Sequence, residues 1–335
     1  MSNLNLHPEN YYSLIDRIDF SPIRGKRLFI TGGTGFFGLW LNNLFQALNQ
    51  KGYDITVTLL SRDPEAFLKK NPSYLHSSWL NWVHGDVLSY QIPLQKFDLF
   101  IHGAADTSPG ALDKPTQLFT SIVSGTERVL KHAVDSGAGR MLFVSSGAVY
   151  GEAPSGIDLI SEDTNSAPQT NETANVYGEA KRAAEMLAYC YQKEYGLEIV
   201  VARCFAFMGA GIGQHLVINQ FIQQALHSPE IVIKGSGTSR RSFLHGQDLA
   251  LWLLKLLVAG NAGEIYNVGS DHGFTIKQLA ELVRDEISPE KAVTVLGTQK
   301  KEFRMNYVPS ITKTKSLGLD VWTSLKETIR QQKSY

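Results

Sequence analysis

The sequence predicts an α/β fold, a doubly wound parallel sheet followed by a smaller C-terminal α/β lobe, and three observations carry that expectation. A short apolar run, Arg27-Leu28-Phe29-Ile30-Thr31, ends in glycines and opens onto a helical stretch from Phe36 to Gln50. Similar short runs recur at 54–60, 81–84, 97–102 and 141–145, separated by segments long enough to hold crossover helices on both faces of a sheet. The chain has 335 residues, 43% of them apolar, which is enough for two lobes with a sizeable core.

Taken in order, the next elements are two long helices. Over 115–134, Leu118, Ile122, Gly125, Val129 and Ala133 recur at helical spacing; over 172–191 the apolar stripe reads Val176, Ala180, Ala183, Leu187 and Cys190. The small residues of the second stripe suit close packing against the sheet, a neighbouring helix or a second subunit. After Val201 a glycine-rich turn, Gly209-Ala210-Gly211-Ile212-Gly213, precedes a helix over 217–226. A strand at 231–234, a helix at 247–258, a strand at 264–268 and a helix at 275–287 complete the pattern. The expected division is an N-terminal extension over 1–25, a first domain over 26–205 and a second lobe over 206–335, with part of 240–270 returning to the first domain.

Composition narrows the partners. The 32 Lys and Arg balance 32 Asp and Glu, so no basic surplus exists to gather nucleic acid or an anionic membrane, and neither is expected as a partner. Residues 1–25 lack the apolar centre of a signal peptide, and the apolar run at 249–258 is too short to span a bilayer. The two cysteines, Cys190 and Cys204, read as small buried hydrophobes of a reducing compartment, without a metal site. A cytoplasmic protein is expected.

The turn Thr31-Gly32-Gly33-Thr34-Gly35-Phe36-Phe37-Gly38 places glycines where a Rossmann-type dinucleotide site needs them. Gly32 permits the tight turn, Gly35 clears the approach of a pyrophosphate, and Gly38 lets helix and strand pack closely. The helix N-terminus then supplies free N–H groups and the positive end of its dipole. Thr34, Phe36 and Phe37 belong to the same cofactor-binding turn. Asp86 and Val87, after the third strand, and Ala104 and Ala105, after the fourth, are expected to border the adenine and the flat rings. Arg62 can pair with a 2′-phosphate, whereas Asp63 can serve a free ribose or cap the next helix, so NAD and NADP both stay open.

Tyr177 and Lys181 lie four apart on a helix and share a face. An ammonium beside a phenol favours the phenolate and readies it as a base. The strand ending at Ser145 carries the Ser146 hydroxyl to the same sheet edge, within reach of an alcohol or ketone undergoing conversion.

Together TGGTGFFG at 31–38, VSSGAVYG at 144–151 and YGEAK at 177–181 resemble the extended short-chain dehydrogenase/reductases, and within them the nucleotide-sugar epimerases and dehydratases. The resemblance runs from Arg27 to about Gln331. It implies Ser146, Tyr177 and Lys181 as catalytic residues, with Tyr177 as acid/base and Lys181 also bonding the nicotinamide ribose. It further implies substrate contacts at Thr107, Ser146, Arg241 and Arg304, and a homodimer formed through helices 115–134 and 172–191. Dehydratases and decarboxylases of this group carry an acid at one or both places held here by Gly147 and Ala148, and relatives carry Asn where Ala206 stands. The expected activity is therefore NAD(P)-dependent nucleotide-sugar epimerisation or oxidoreduction through a 4-keto sugar. The alternatives are an NAD(P)H-dependent 4-keto-sugar reductase, a 4,6-dehydratase or decarboxylase, and a non-catalytic dinucleotide-binding protein.

Overall fold

A computed structural model describes residues 6–108, 110–297 and 305–332. After the single turn α1 (Tyr12–Ile15), the chain alternates β1 (Arg27–Thr31), α2 (Phe36–Gln50), β2 (Thr56–Ser61), α3 (Pro64–Lys70), β3 (Leu80–His84) and β4 (Leu99–His102). It continues through α4 (Pro115–Asp135), β5 (Arg140–Ser146), α5 (Val176–Tyr195) and β6 (Glu198–Cys204). Local chemistry sets several boundaries. Pro115 opens α4 with its ring-fixed φ, the Asp63 carboxylate accepts the Ala66 N–H to cap α3, and Gly196 closes α5 at φ 72°.

The second lobe begins with β7 (Phe207–Met208), α6 (Val217–His227), β8 (Ile231–Ile233), β9 (Arg240–Arg241) and β10 (Leu244–His245). Then α7 (Gly246–Ala259) packs on α2 and β11 (Ile265–Val268) joins the edge of the large sheet, before β12 (Phe274–Thr275), α8 (Ile276–Ile287), β13 (Val293–Val295), β14 (Asn306–Tyr307), α9 (Thr312–Lys315) and α10 (Leu325–Gln332).

Seven strands form one sheet in the order β11-β6-β5-β4-β1-β2-β3, each pair parallel. This is a Rossmann-type α/β fold. The order reverses between β1 and β4, so the crevice beyond Thr31 and His102 is the topological switch point where such sheets bind ligands. Strand side chains alternate between two cores. Leu28 and Ile30 pack with Leu44 and Trp252 on one face, and Phe29 and Phe143 pack with Ile122 and Ala184 on the other. The N-terminal segment is tied to α2 and α7: buried Tyr11 donates its hydroxyl to the Trp40 carbonyl at 3.1 Å, and Gln247 donates to the Asn10 carbonyl at 2.8 Å.

Two expectations are corrected here. The stripe expected on the second long helix does not coincide with its buried face. Ala180, Ala184 and Ala188 are fully buried together with Lys181 and Glu185, while Ala183 and Leu187 are half-exposed and Cys190 is exposed. Hydrophobic periodicity missed this face because two of its members are charged. Cys190 is accordingly no buried hydrophobe; Cys204, at the end of β6, is. Among the described residues no helix is long and apolar enough to cross a membrane, and no group of acids, histidines and cysteines is arranged to hold a metal.

Candidate active site

The glycine turn, the loop after β4 and Ser146 lie at the carboxyl edge of the large sheet, with Tyr177 and Lys181 on α5 tied to it. Gly32 turns at φ 77°, and a Cβ on it would meet the Gly103 carbonyl carbon at 2.6 Å; a Cβ on Gly38 would meet the Gly33 carbonyl at 2.2 Å. The first closeness lets the β1 and β4 loops meet, and the second lets α2 start directly over its strand. Gly35, the N-cap of α2, has no side chain to occupy the first amides of the helix, and Thr34 and Gly35 are exposed. This cradle fits the diphosphate of a dinucleotide: backbone donors and a positive helix end face an edge that any Cβ at Gly32 would close.

A buried relay braces the β1–β4 crevice. Thr126 Oγ1 donates to the Ile122 carbonyl, so it accepts from His102 Nε2 at 2.9 Å. His102 Nδ1 is thereby the acceptor for the Thr31 hydroxyl at 2.6 Å, and Thr31 Oγ1 in turn accepts the Ala104 N–H at 3.2 Å. Burial, assisted by the Lys181 charge, holds the His102 pKa down at about 3, so the ring stays neutral and the tautomer stays fixed. Ala104 and Ala105 follow, half-buried. Asp86 is half-buried and accepts the Leu88 N–H at 3.0 Å, and Val87 packs against Gly125 of α4. Arg62 is exposed at the end of β2, whereas Asp63 has spent its carboxylate on the α3 cap.

Ser146 ends β5, and its Oγ accepts the Ala148 N–H at 3.1 Å. Tyr177 stands half-buried in the first turn of α5, and Lys181 follows one turn later, 2% exposed. The Lys181 ammonium donates to the Val144 carbonyl at 2.8 Å and lies 5.0 Å from the Phe143 ring centroid. This bond ties the Tyr177 helix to the strand that delivers Ser146. Burial pushes the Lys181 pKa down to about 8, against the opposing influences of Cys204 and Glu185. The Cys204 thiol is itself raised to about 12 by burial and stays neutral.

On the second lobe, Ala206, Phe207, Leu216, Val217, Arg241, Phe243 and Tyr307 line a cavity of about 230 Å³. The Arg241 guanidinium donates to the Arg240 carbonyl at 2.8 Å and sits 5.9 Å from the Tyr307 ring centroid. Of the other expected substrate contacts, Thr107 is exposed on the loop after β4 and does not line this cavity, and Arg304 lies outside the described residues.

Three features escaped the sequence reading. Glu185, two turns beyond Tyr177, binds Arg203 and Ser145, and extending the four-residue rule by one step reaches it. Tyr307 carries no local signal; it arrives from a distant two-residue strand. A Cβ on Gly147 would meet the Phe205 ring at 2.9 Å and the Tyr307 hydroxyl at 2.9 Å, and Ala148 is 1% exposed. The corner beside Ser146 is thus already filled.

The fold and the edge-on constellation define a dinucleotide-dependent class, and comparison with known proteins places the chain within it. The model of the NAD dependent epimerase/dehydratase family matches residues 28–269, and the chain belongs to that family. It is 28% identical over 263 residues to a dTDP-D-glucose 4,6-dehydratase of Mus musculus, covering 76% of this chain and 71% of that one. It is 29% identical over 325 residues to UDP-glucuronic acid decarboxylase 6 of Arabidopsis thaliana, covering 92% and 90%. A UDP-N-acetylglucosamine 4-epimerase from Methanobrevibacter ruminantium M1, solved in complex with UDP-N-acetylmuramic acid, shares the fold with a TM-score of 0.80 at 21% identity, over 93% of this chain and 98% of that one. The family thus spans epimerases, dehydratases and decarboxylases of nucleotide sugars.

Proposed function

We propose that this protein is an NAD(P)-dependent epimerase or oxidoreductase that converts a nucleotide-diphosphate sugar through its 4-keto form. The reading rests above all on the corner beside Ser146. Gly147 has no room for a side chain and Ala148 is buried, so neither position offers the carboxylic acid that dehydration or decarboxylation uses in the resembling enzymes. This holds although a dehydratase and a decarboxylase are among the relatives in sequence.

The turn of Gly32, Thr34, Gly35, Phe36, Phe37 and Gly38 would hold the diphosphate of the dinucleotide, Asp86 and Val87 its adenine, and Ala104, Ala105, Tyr177 and Lys181 its nicotinamide end. When bound, the nicotinamide supplies hydride acceptance and return. Tyr177 takes the proton of the sugar's C4 hydroxyl as the C4 hydrogen departs as hydride, leaving a C4 ketone. Lys181, held charged against the Val144 carbonyl, favours the Tyr177 phenolate. Ser146 Oγ donates to the C4 oxygen and limits its motion as its charge changes. Arg241 binds the substrate diphosphate at the cavity wall, and Tyr307 and Phe243 flank it. Epimerisation follows when the keto sugar presents its other face before hydride and proton return.

A second reading, the 4-keto-sugar reductase using NADPH, draws on β2. Arg62 is exposed there for a 2′-phosphate, while the Asp63 carboxylate is committed to its helix cap. Denaturing the purified protein and identifying the released dinucleotide separates the two. Tightly held NAD supports the epimerase; an empty protein that oxidises NADPH with a 4-keto nucleotide sugar supports the reductase. Undiminished turnover by Tyr177→Phe on the converted substrate would overturn both.

We also infer a homodimer through α4 and α5, supported by the half-exposed Ala183 and Leu187 and the exposed Phe119 and Met186 on these helices. Light scattering at micromolar concentration tests it, a monomer mass being the contrary result. The cytoplasm is the proposed compartment.

A further inference from the structure

We propose that Glu185 is a positioning residue for the catalytic helix: its carboxylate is the fixed anion that keeps the buried Lys181 ammonium charged and registers α5 on β5 and β6. The inference rests on the reading of Tyr177 and Lys181 as the reacting pair, and it concerns how that pair is held.

Glu185 is 5% exposed and follows Lys181 by one helical turn, as Lys181 follows Tyr177. Its Oε1 accepts the Ser145 hydroxyl at 2.5 Å and Arg203 Nε at 3.1 Å, and its Oε2 accepts Arg203 Nη2 at 2.7 Å. Ser145 directly precedes Ser146 on β5, and Arg203 lies on β6. A single carboxylate therefore joins the helix of the acid/base to the strand of the substrate hydroxyl contact and to the next strand. Arg203 is held from its other side as well: its guanidinium lies 4.7 Å from the Tyr150 ring centroid, and the Tyr150 hydroxyl donates to Asn267 Oδ1 at 2.9 Å.

The electrostatic part follows from what surrounds Lys181. On α5 Tyr177 stands one turn before it and Glu185 one turn after; β5 contributes the Val144 carbonyl and the Phe143 ring; Cys204 of β6 and His102 of β4 act on it electrostatically, and Arg203 of β6 lies beyond Glu185. His102 is neutral because burial holds its pKa at about 3, and Cys204 is neutral because burial lifts it to about 12. Arg203 carries the same sign as Lys181. Glu185 is the carboxylate of this set, and an ammonium whose pKa is already lowered by burial to about 8 has little reserve without it. A hydrogen-bonding spacer without charge would leave the helix in register and a larger share of Lys181 as the neutral amine.

The test reads Lys181 directly. Lysine labelled with ¹³C at Cε is incorporated into the full chain, Lys181→Met assigns the resonance, and its titration is followed in wild type, Glu185→Gln and Arg203→Met. Charge support by Glu185 lowers the midpoint in Glu185→Gln by about one pH unit, roughly a tenfold loss of ammonium relative to amine at a fixed pH above it. The Arg203→Met midpoint stays in place or rises. The alkaline limb of turnover moves with the same sign in each variant, while Tyr177→Phe abolishes turnover and so tests the parent reading separately. A purely structural role makes both variants less stable and leaves the midpoint where it was. An unmoved midpoint in Glu185→Gln, or an equal fall in Arg203→Met, overturns the proposal. If Glu185→Gln does not fold, Glu185→Gln/Arg203→Gln replaces it, since two amides can still bond each other; its midpoint must lie below that of Arg203→Gln alone, and equal midpoints in the two overturn the proposal.

Discussion

The two lobes are built by different means, and the proposed cofactor and sugar-nucleotide sites draw on one each. The first hangs its site on seven parallel strands with a packed core on either face. The second lines its cavity partly from two-residue strands, β7, β9 and β14, around a smaller cluster that includes Ile218, Phe221 and Leu279. A side chain at the end of a long sheet strand is fixed by hydrogen-bond ladders and close packing. One on a two-residue strand is fixed by a few neighbours, so its surroundings yield more readily. The proposed chemistry draws on the long sheet strands, and the proposed sugar-nucleotide contacts on the short ones.

The contrast can be broken experimentally, beginning with the largest effect. Tyr177→Phe is expected to reduce turnover by roughly 10²–10⁴-fold with dinucleotide affinity retained, as measured by steady-state rates beside fluorescence titration. Arg241→Ala is expected to weaken nucleotide-sugar binding by about 10–100-fold, the loss of a charge-assisted contact of about 1.5–3 kcal/mol, while the melting temperature barely moves. Calorimetry checks both halves, and a matching loss of stability would erase the distinction between lobes. Gly147→Asp is expected to cost about 1–3 kcal/mol of stability because its side chain meets Phe205 and Tyr307, without introducing dehydratase activity. Release of a 4-keto-6-deoxy sugar by that variant would show that the corner can open.

Acid provides a fourth probe. Burial holds His102 at about 3 and His132 and His245 each at about 4, below the ordinary 6.5. Between those values the unfolded chain takes up protons that the folded chain refuses, so their stabilising contribution is full above pH 6.5 and is lost as pH falls toward 4 and 3. Asp248 works the other way. Burial raises its carboxyl to about 6 although it accepts from the Trp322 and Thr323 amides, so its unfavourable burial is relieved as pH falls through 6. The net expectation is a melting temperature that declines below pH 6 at a slope set by about two protons, measurable by scanning calorimetry; a flat profile from 7 to 4 would contradict the neutral assignments. The smallest effect is expected from Tyr11→Phe, which removes the bond to the Trp40 carbonyl and costs about 1 kcal/mol in denaturant unfolding.

The same difference explains what could be read before the structure. Gly32, Gly35 and Gly38 stand within one turn, and Tyr177 and Lys181 within one helical turn, so covalent spacing alone brings them together. The apolar residues of α4 announce themselves by period, with Leu118, Ile122 and Val129 all buried. Glu185 did not, because a buried carboxylate looks like a solvated one until Arg203 and Ser145 are placed beside it. Tyr307 and Phe205 are about a hundred residues apart and meet only over Gly147, a juxtaposition that no local pattern encodes. The missing acid at Gly147 and Ala148 was legible; that the space itself is occupied was not.

Phe207 belongs to both lobes at once. It lines the cavity of the second lobe, stacks on Phe36 at 4.8 Å and meets Phe37 edge-on at 4.7 Å, and those two residues open the first turn of α2. Widening the cavity by turning that ring therefore strips two aromatic contacts from the helix that begins at the glycine turn. Whatever energy this communicates between the ligands is reciprocal: a sugar nucleotide that stiffens the wall changes dinucleotide affinity by the same factor by which the dinucleotide changes its own.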